Sequence, residues 1–341
     1  MNIKNAIKVV ISGIAIFMLI FYTEQVTKGA NLSLKICATS VIPALFPFFV
    51  VSGILVNTGI AHLIGKIFTP VSQILFKTSG AGAFCFVMGL LCGYPTGAKV
   101  ISDMYKSGTL SKKESERLLA FCNNSGPLFI IGTVGSFMLG KKKIGIVLYI
   151  IHALSALITG VVISLFQKKP PSKTSNKIVA VNLLKAITKS IEDAVKSIIL
   201  VCGYVVFFGS VISVLESFID NPFLLSLAEV TTGAKMITSS GMNEKMMLSL
   251  LSASMAFGGL CVLLQVKSVI ADTDLSARTY ILGKSFQAVC ALTISKVYFS
   301  LNDSVYTFSP QGYDVVPSYL LLVIFVVSGV FVLFARLTKR G

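Results

Sequence analysis

A short motif with anion-binding chemistry occurs twice in this chain. Thr96-Gly97-Ala98-Lys99 returns as Thr232-Gly233-Ala234-Lys235, and Leu139-Gly140-Lys141 returns downstream as Leu282-Gly283-Lys284, in the same order. Two ordered matches at nearly the same separation indicate an internal duplication. Each motif joins a helix-breaking Gly to a Lys. Duplicated units with broken helices are typical of membrane transporters, whose substrate site lies where the two halves meet.

The residues before the first motif predict where a helix breaks. In Gly93-Tyr94-Pro95, the proline has no N–H and disfavours helix at Tyr94, while Gly93 and Gly97 permit positive φ. We expect a new helix to begin near Thr96, with its free N–H groups facing an anion. Lys99 adds a full positive charge one turn later. The structural alternative is a kink that only packs helices, with Lys99 reaching the surface.

A second candidate break is uncharged and polar. Asn123, Asn124, Ser125 and Gly126 precede Pro127 between two apolar stretches, and such groups are costly where they face lipid. We expect them to form a hydrogen-bonding patch for a polar ligand or an ion. The alternative is a cytoplasmic turn.

The second half of the chain offers its own candidates. Thr232, Gly233 and Lys235 belong to the repeated motif, and Gln265 follows the Gly258-Gly259 pair. Gln265 lies either in a pore or at the inner membrane interface, and the sequence leaves both open. Among the acids, Glu229 is the candidate for a proton-coupling residue. We expect His152 to hydrogen-bond a neighbouring helix rather than to relay protons.

Composition indicates the class of protein. The 341 residues are 54% hydrophobic and 13% charged, which predicts an all-α polytopic membrane protein embedded in a lipid bilayer. The net charge of +16 comes from basic residues in loops between apolar segments, so we expect no nucleic-acid partner. The seven Cys form no C-x-x-C pair and there are two His, so no metal site is expected. Catalytic fingerprints are absent, and we expect neither an enzyme nor a cofactor.

The organisation follows from apolar segments and loop charges. We predict an N-terminal transmembrane helix and loop (1–35), a first repeat (36–166), a basic loop with an amphipathic linker helix on the membrane surface (167–197), a second repeat (198–299), and an extracytoplasmic loop with a C-terminal helix (300–341). We accept eight to eleven membrane segments. Loop charges place Lys141 outside and Lys284 near the inside, which predicts two inverted-topology repeats with broken or re-entrant helices.

The motif around the two breaks resembles a known family. Leu91-Cys92-Gly93-Tyr94-Pro95-Thr96-Gly97-Ala98-Lys99, followed by Phe121 to Pro127 and by Ile131-Gly132-Thr133-Val134-Gly135, is similar to the YlbJ (SpoVV) family of sporulation integral membrane proteins, which carry nucleoside-recognition (Gate) domains. The resemblance covers about residues 36–299. It implies a fold related to concentrative nucleoside transporters, a place in the outer forespore membrane, and movement of dipicolinic acid toward the developing spore.

The residues fit that substrate class in a specific way. Dipicolinate is a small planar dianion, and we predict that Lys99 and Lys235 hold its two carboxylates while Thr96, Thr232 and the 123–125 patch orient the ring. A nucleoside or nucleobase carrier and a non-transporting sporulation scaffold are the alternatives. The sequence does not identify a coupling ion, and it is compatible with a homo-oligomer.

Overall fold

The computed structural model describes residues 13, 14, 16–166 and 181–302. In that part of the chain the regular structure is helical throughout, with no strand, so the all-α prediction is confirmed. The predicted C-terminal helix and the basic loop at 167–180 lie outside the described residues.

A long helical rod follows the helical residues at 13, 14 and 16–21. It consists of α1 (Thr23–Ile36), a π-helical turn (Cys37–Val41) and α2 (Ile42–Asn57). The rod packs along the later helix α8 (Leu183–Leu215). Small residues allow this close approach: a Cβ on Gly29 would lie 2.6 Å from the carbonyl oxygen of Gly209.

The predicted surface linker helix is wrong as a separate element. We expected an amphipathic helix ending near residue 197 and a membrane span beginning at 198, but α8 runs through both as one helix of 33 residues. Asn182 caps its start by accepting a hydrogen bond from the Leu184 N–H. No proline interrupts the 33 residues. The sequence changes from charged to apolar near residue 198, but the helix continues through that change.

The first repeat is built from short helices joined by breaks. Its elements are α3 (Ile60–Phe76), α4 (Gly80–Cys92), α5 (Thr96–Lys106), α6 (Lys112–Cys122), a π-helix (Leu128–Met138) and the long α7 (Lys142–Leu165). The axes of α3 and α4 differ by 88°, so the chain turns sharply between them.

The second repeat contains a similar series. Its elements are α9 (Pro222–Ser226), α10 (Val230–Thr238), α11 (Glu244–Phe257), α12 (Gly259–Val269) and the long α13 (Arg278–Leu301). The elements from α9 to α13 follow the same order as those from α4 to α7. In each series two helices flank a break and a third helix follows. A second break then precedes a short helix and a long one. The repeated motif forms the first turn of α5 in the first series and lies within α10 in the second.

The described residues contain four helical stretches that are long and apolar enough to cross a membrane: Thr23–Asn57, Lys142–Leu165, Leu183–Leu215 and Glu244–Val269. The bent pair α3 and α4 makes a fifth if it counts as one span. The predicted span at 279–299 is a single helix, α13, but it carries Arg278, Lys284 and Lys296 and is not among the four. The predicted span at 318–335 and part of that at 9–22 lie outside the described residues.

Candidate functional site

The first break lies where the sequence predicts it. Helix α4 ends at Cys92, Gly93 has φ of 85°, the Tyr94–Pro95 peptide bond is cis, and α5 begins at Thr96. The Thr96 N–H donates to the Gly93 carbonyl at 3.0 Å, which closes the turn. Gly93 can adopt this positive φ because it has no Cβ.

The second break is buried and held by side chains. Asn123, Asn124 and Ser125 are each at most 1% exposed and join α6 to the π-helix. The Asn124 amide donates to the Phe121 carbonyl at 2.7 Å, and the Ser125 N–H donates to His152 Nε2 at 3.0 Å. His152 thus holds the break through a hydrogen bond between elements, as predicted. This segment is therefore buried inside the protein.

The third break lies in the second repeat, between α9 and α10. Glu229 caps α10, because its two carboxylate oxygens accept the N–H groups of Thr231 at 2.8 Å and Thr232 at 2.7 Å. The sequence lacks a Gly-Tyr-Pro here and predicted less unwinding, yet the chain leaves the helix over residues 227–229. The Glu229 side chain accepts free N–H groups at this helix start, where the first series uses the Gly93 backbone carbonyl for the Thr96 N–H.

Residues of these three breaks line one cavity, which we call the central cavity. Its volume is 880 Å³, and its lining includes Gly93 and Tyr94, Ser125 and Gly126, and Glu229. Apolar side chains such as Leu45, Phe48 and Leu91 form much of the remaining wall. Mostly apolar walls with a few convergent polar groups are typical of small-molecule sites.

Two lysines lie on the central cavity without an acidic partner. Lys35, from the last turn of α1, and Lys235, from α10, both line it, and neither forms an ion pair with any residue that the structure describes. The nearest lining acid in the sequence, Glu229, already accepts two backbone N–H groups. The cavity therefore presents two positive charges and one carboxylate that is already hydrogen-bonded.

A second, smaller space lies beside it, which we call the charged cavity. Its volume is 360 Å³, and it is lined by four lysines and three aspartates, Lys99, Lys106, Lys189, Lys196, Asp103, Asp193 and Asp272. Lys99 forms an ion pair with Asp103 at 3.2 Å, one turn along α5. Gln265 and Val201 line both cavities, so the two spaces adjoin at these side chains.

The structure brings some of the predicted site residues together and separates others. Those on the central cavity are Gly93, Tyr94, Ser125, Gly126, Lys235 and Gln265. Pro95 and Lys99 lie on the charged cavity, so the structure does not bring Lys99 and Lys235 to the same space. Lys99 pairs with Asp103. The lysine that lines the central cavity together with Lys235 is Lys35.

The remaining predicted residues line neither cavity. They are Thr96, Gly97, Asn123, Asn124, Thr232 and Gly233, and all are buried. Gly97 packs against the second break, since a Cβ there would lie 3.0 Å from Asn123 Cα. Gly233 packs in the same way against Ser226. Gly97 and Gly233 therefore allow close approach of the neighbouring backbone.

Sequence reasoning missed three residues that matter here. Lys35 lies far from the repeated motif in the sequence, and only the packing of the rod brings it to the central cavity. Lys284 and Gln287 of α13 reach the second break, where Gln287 Nε2 donates to Asn124 Oδ1 at 3.0 Å. A signal for Lys284 was present, because the repeat pairs it with Lys141. Among the described residues there is no group of three His, Cys, Asp or Glu able to hold a metal ion.

Comparisons with known proteins agree with this class of architecture. Residues 38–169 match the family model described as Gate, nucleoside recognition, which spans both breaks of the first repeat. With the apolar helices, this defines an integral, multi-pass membrane protein with a nucleoside-recognition region.

One relative is similar to this chain over most of its length. The chain is 24% identical over 336 residues to the sporulation integral membrane protein YlbJ of Bacillus subtilis (strain 168), a match that covers 85% of this chain and 82% of the relative. Together the two matches confirm the resemblance to the YlbJ family. No solved structure matches the chain.

Proposed function

We propose that this protein is a carrier of a small organic anion, dipicolinic acid, which it moves across the outer forespore membrane during sporulation. The relative's name supports a membrane protein of sporulation. The observation that carries the choice of an anion is the pair of lysines, Lys35 and Lys235, that line the central cavity without an acidic partner in the described residues.

In this proposal the central cavity binds a planar dianion between Lys35 and Lys235. Each carboxylate takes one ammonium, and charge-assisted hydrogen bonds of this kind are about twice as strong as neutral ones. The aromatic ring packs against apolar walls that include Leu45, Phe48 and Leu91. Tyr94 and Ser125, from two different breaks, line the same cavity and form part of its wall.

The path of transport in this proposal runs through both cavities. The charged cavity receives the anion among its lysines, and the central cavity binds it beside the helix breaks. Gln265 and Val201, which line both, separate the two spaces. The returning order of elements supports two repeats. We propose that they have inverted topology and that the fold is related to concentrative nucleoside transporters, because alternating access needs two equivalent halves that rock about a fixed site.

A nucleoside or nucleobase carrier is the second candidate. The match of residues 38–169 to a nucleoside-recognition model favours it. A neutral nucleoside has no charge to pair with Lys35 and Lys235, so the two lysines would then be dispensable. In neither proposal is the protein an enzyme or dependent on a cofactor.

The two candidates are separated by uptake into proteoliposomes that contain this chain alone. Labelled dipicolinate is offered with and without an excess of unlabelled uridine, and labelled uridine is offered in the reverse experiment. Saturable dipicolinate uptake that uridine does not reduce supports the anion carrier. Uridine uptake that dipicolinate does not reduce would replace it with the nucleoside carrier.

A further inference from the structure

One lysine is buried in the interior without an acidic partner. Lys284 of α13 is 1% exposed, and its Nζ donates to the Asn123 carbonyl at 3.0 Å and to Gln287 Oε1 at 2.7 Å. No Asp or Glu of the described residues forms an ion pair with it. Ionisable groups at such positions in membrane proteins are costly and mark functional sites.

The groups around the ammonium are those that a small cation prefers. Both of its acceptors are neutral oxygens, and Gln287 is held in place because its Nε2 donates to Asn124 Oδ1 at 3.0 Å. The Asn123 carbonyl lies at the C-terminal end of α6, where the helix dipole is negative. Carbonyl and amide oxygens at a helix break are also the ligands with which transporters of this architecture coordinate coupling cations.

Packing holds Lys284 at this position. A Cβ on Gly283 would lie 2.6 Å from Ala120 Cβ, so the absence of a side chain brings α13 directly onto α6. The residue that matches Lys284 in the first repeat behaves differently: Lys141 is on the surface and pairs with Glu244 at 2.9 Å. Only the second-repeat lysine has been brought into the interior, where it joins α13 to the second break of the first repeat.

We propose, on the basis of the carrier function proposed above, that the Lys284 ammonium is a tethered cation that occupies the position of a coupling ion between the two repeats. The carrier then works without Na⁺ or K⁺, because the protein supplies the cation itself. Removing the side chain leaves a space beside its two acceptors, Asn123 O and Gln287 Oε1. A small inorganic cation binds in that space and restores the contact between α13 and α6.

Thermal unfolding of the full-length protein in detergent tests this directly. The midpoint is measured at constant ionic strength in choline, sodium or potassium chloride. For the wild type we expect midpoints that agree within about 1 °C, because nothing in the site exchanges with salt. For Lys284→Ala we expect a lower midpoint in choline, which Na⁺ or K⁺ at about 100 mM raises by roughly 3 °C or more, since a ligand that binds only the folded state stabilises it.

Two further variants complete the test. Lys284→Arg keeps a positive charge at the site, and we expect its midpoint not to respond to the choice of cation. Lys296→Ala removes an exposed lysine of the same helix, and we expect it to match the wild type in every salt. A wild-type midpoint that depends on Na⁺ or K⁺, or a Lys284→Ala midpoint that responds to neither, overturns the proposal. If Lys284→Ala does not fold, the wild-type and Lys284→Arg series decide.

Uptake separates this proposal from the carrier function itself. Wild-type proteoliposomes should take up labelled dipicolinate at the same rate in sodium, potassium or choline buffer. Uptake that requires one inorganic cation contradicts the tethered cation while it supports the carrier. If no buffer gives uptake, the carrier function fails, and the unfolding series still decides whether Lys284 fills a cation site.

Discussion

Gly93 and Gly126 lie against each other where the first two helix breaks meet. A Cβ on Gly93 would lie 3.1 Å from the Gly126 nitrogen, and a Cβ on Gly126 would lie 3.1 Å from the Gly93 nitrogen. Each glycine therefore leaves room for the backbone of the other. Both line the central cavity, so this contact sets the distance between the two segments that bring Tyr94 and Ser125 to the candidate site.

Replacing Gly126 with alanine tests this contact. The added methyl must displace the backbone at Gly93, and we expect a loss of about 1–3 kcal/mol in unfolding free energy, the usual cost of overpacking. Dipicolinate uptake should fall with it. Gly203→Ala is the matched control, because a Cβ there meets no atom within 4 Å and alanine favours a helix. Equal unfolding midpoints for the two variants, measured by a thermal shift, would contradict the close contact.

The loop between α12 and α13 is attached by a pH-sensitive carboxylate. The Tyr105 hydroxyl donates to Asp274 Oδ1 at 2.6 Å and Lys112 Nζ donates to Oδ2 at 2.9 Å, which together hold the pKa of the Asp274 carboxyl below its ordinary value. A depressed pKa means that the contribution to stability is fully present above the ordinary Asp pKa, about 4, and is lost as the pH falls through the lower folded value.

The expected result is a difference between wild type and Asp274→Asn that shrinks in acid. At pH 6 the wild type should unfold at the higher temperature, and the two midpoints should converge as the pH is lowered toward 3. Asp272→Asn is the control, since that side chain is 90% exposed and lies 3.6 Å from Lys106. A constant difference between wild type and Asp274→Asn across this range would show that Asp274 does not contribute through its charge.

Glu229 is expected to act as a helix cap and not as a proton-coupling acid. Its two oxygens accept the N–H groups that open α10, so Glu229→Ala should cost about 1 kcal/mol of unfolding free energy, as for other lost caps. Glu229→Gln keeps one acceptor oxygen and should lose less. We expect the pH dependence of uptake to be the same in Glu229→Gln and wild type. A pH dependence that disappears in Glu229→Gln would return the coupling role to this residue.

The helix breaks could be predicted from the sequence because local chemistry determines them. Gly93 with Pro95, and Gly126 with Pro127, each combine a residue that permits positive φ with one that has no N–H, and the close pairing disfavours a continuous helix. The repeated motif with Lys99 and Lys235 predicted a duplication, and the described helices follow a similar order around each copy. Local signals of this kind do not depend on which segments become neighbours.

The partners of the charged residues could not be predicted, because they depend on tertiary packing. The sequence around Lys284 predicts a lysine near a membrane interface. In the structure, close packing at Gly283 brings Lys284 to the Asn123 carbonyl and buries it. The partner of Lys99 is the exception, because Asp103 lies one turn along the same helix and the i,i+4 spacing was visible in the sequence. The continuous α8 was missed because charged residues before position 198 resemble the end of a span.

The central claim is that Lys35 and Lys235 bind the two carboxylates of the transported anion, and dipicolinate uptake by matched proteoliposomes tests it most directly. Removing one charged partner costs about 1.5–3 kcal/mol, so Lys35→Ala and Lys235→Ala should each weaken apparent affinity by about tenfold to a hundredfold. Lys28→Ala, on the same helix as Lys35 but lining neither cavity, should match the wild type. Wild-type uptake by the Lys35→Ala, Lys235→Ala double variant would contradict the account.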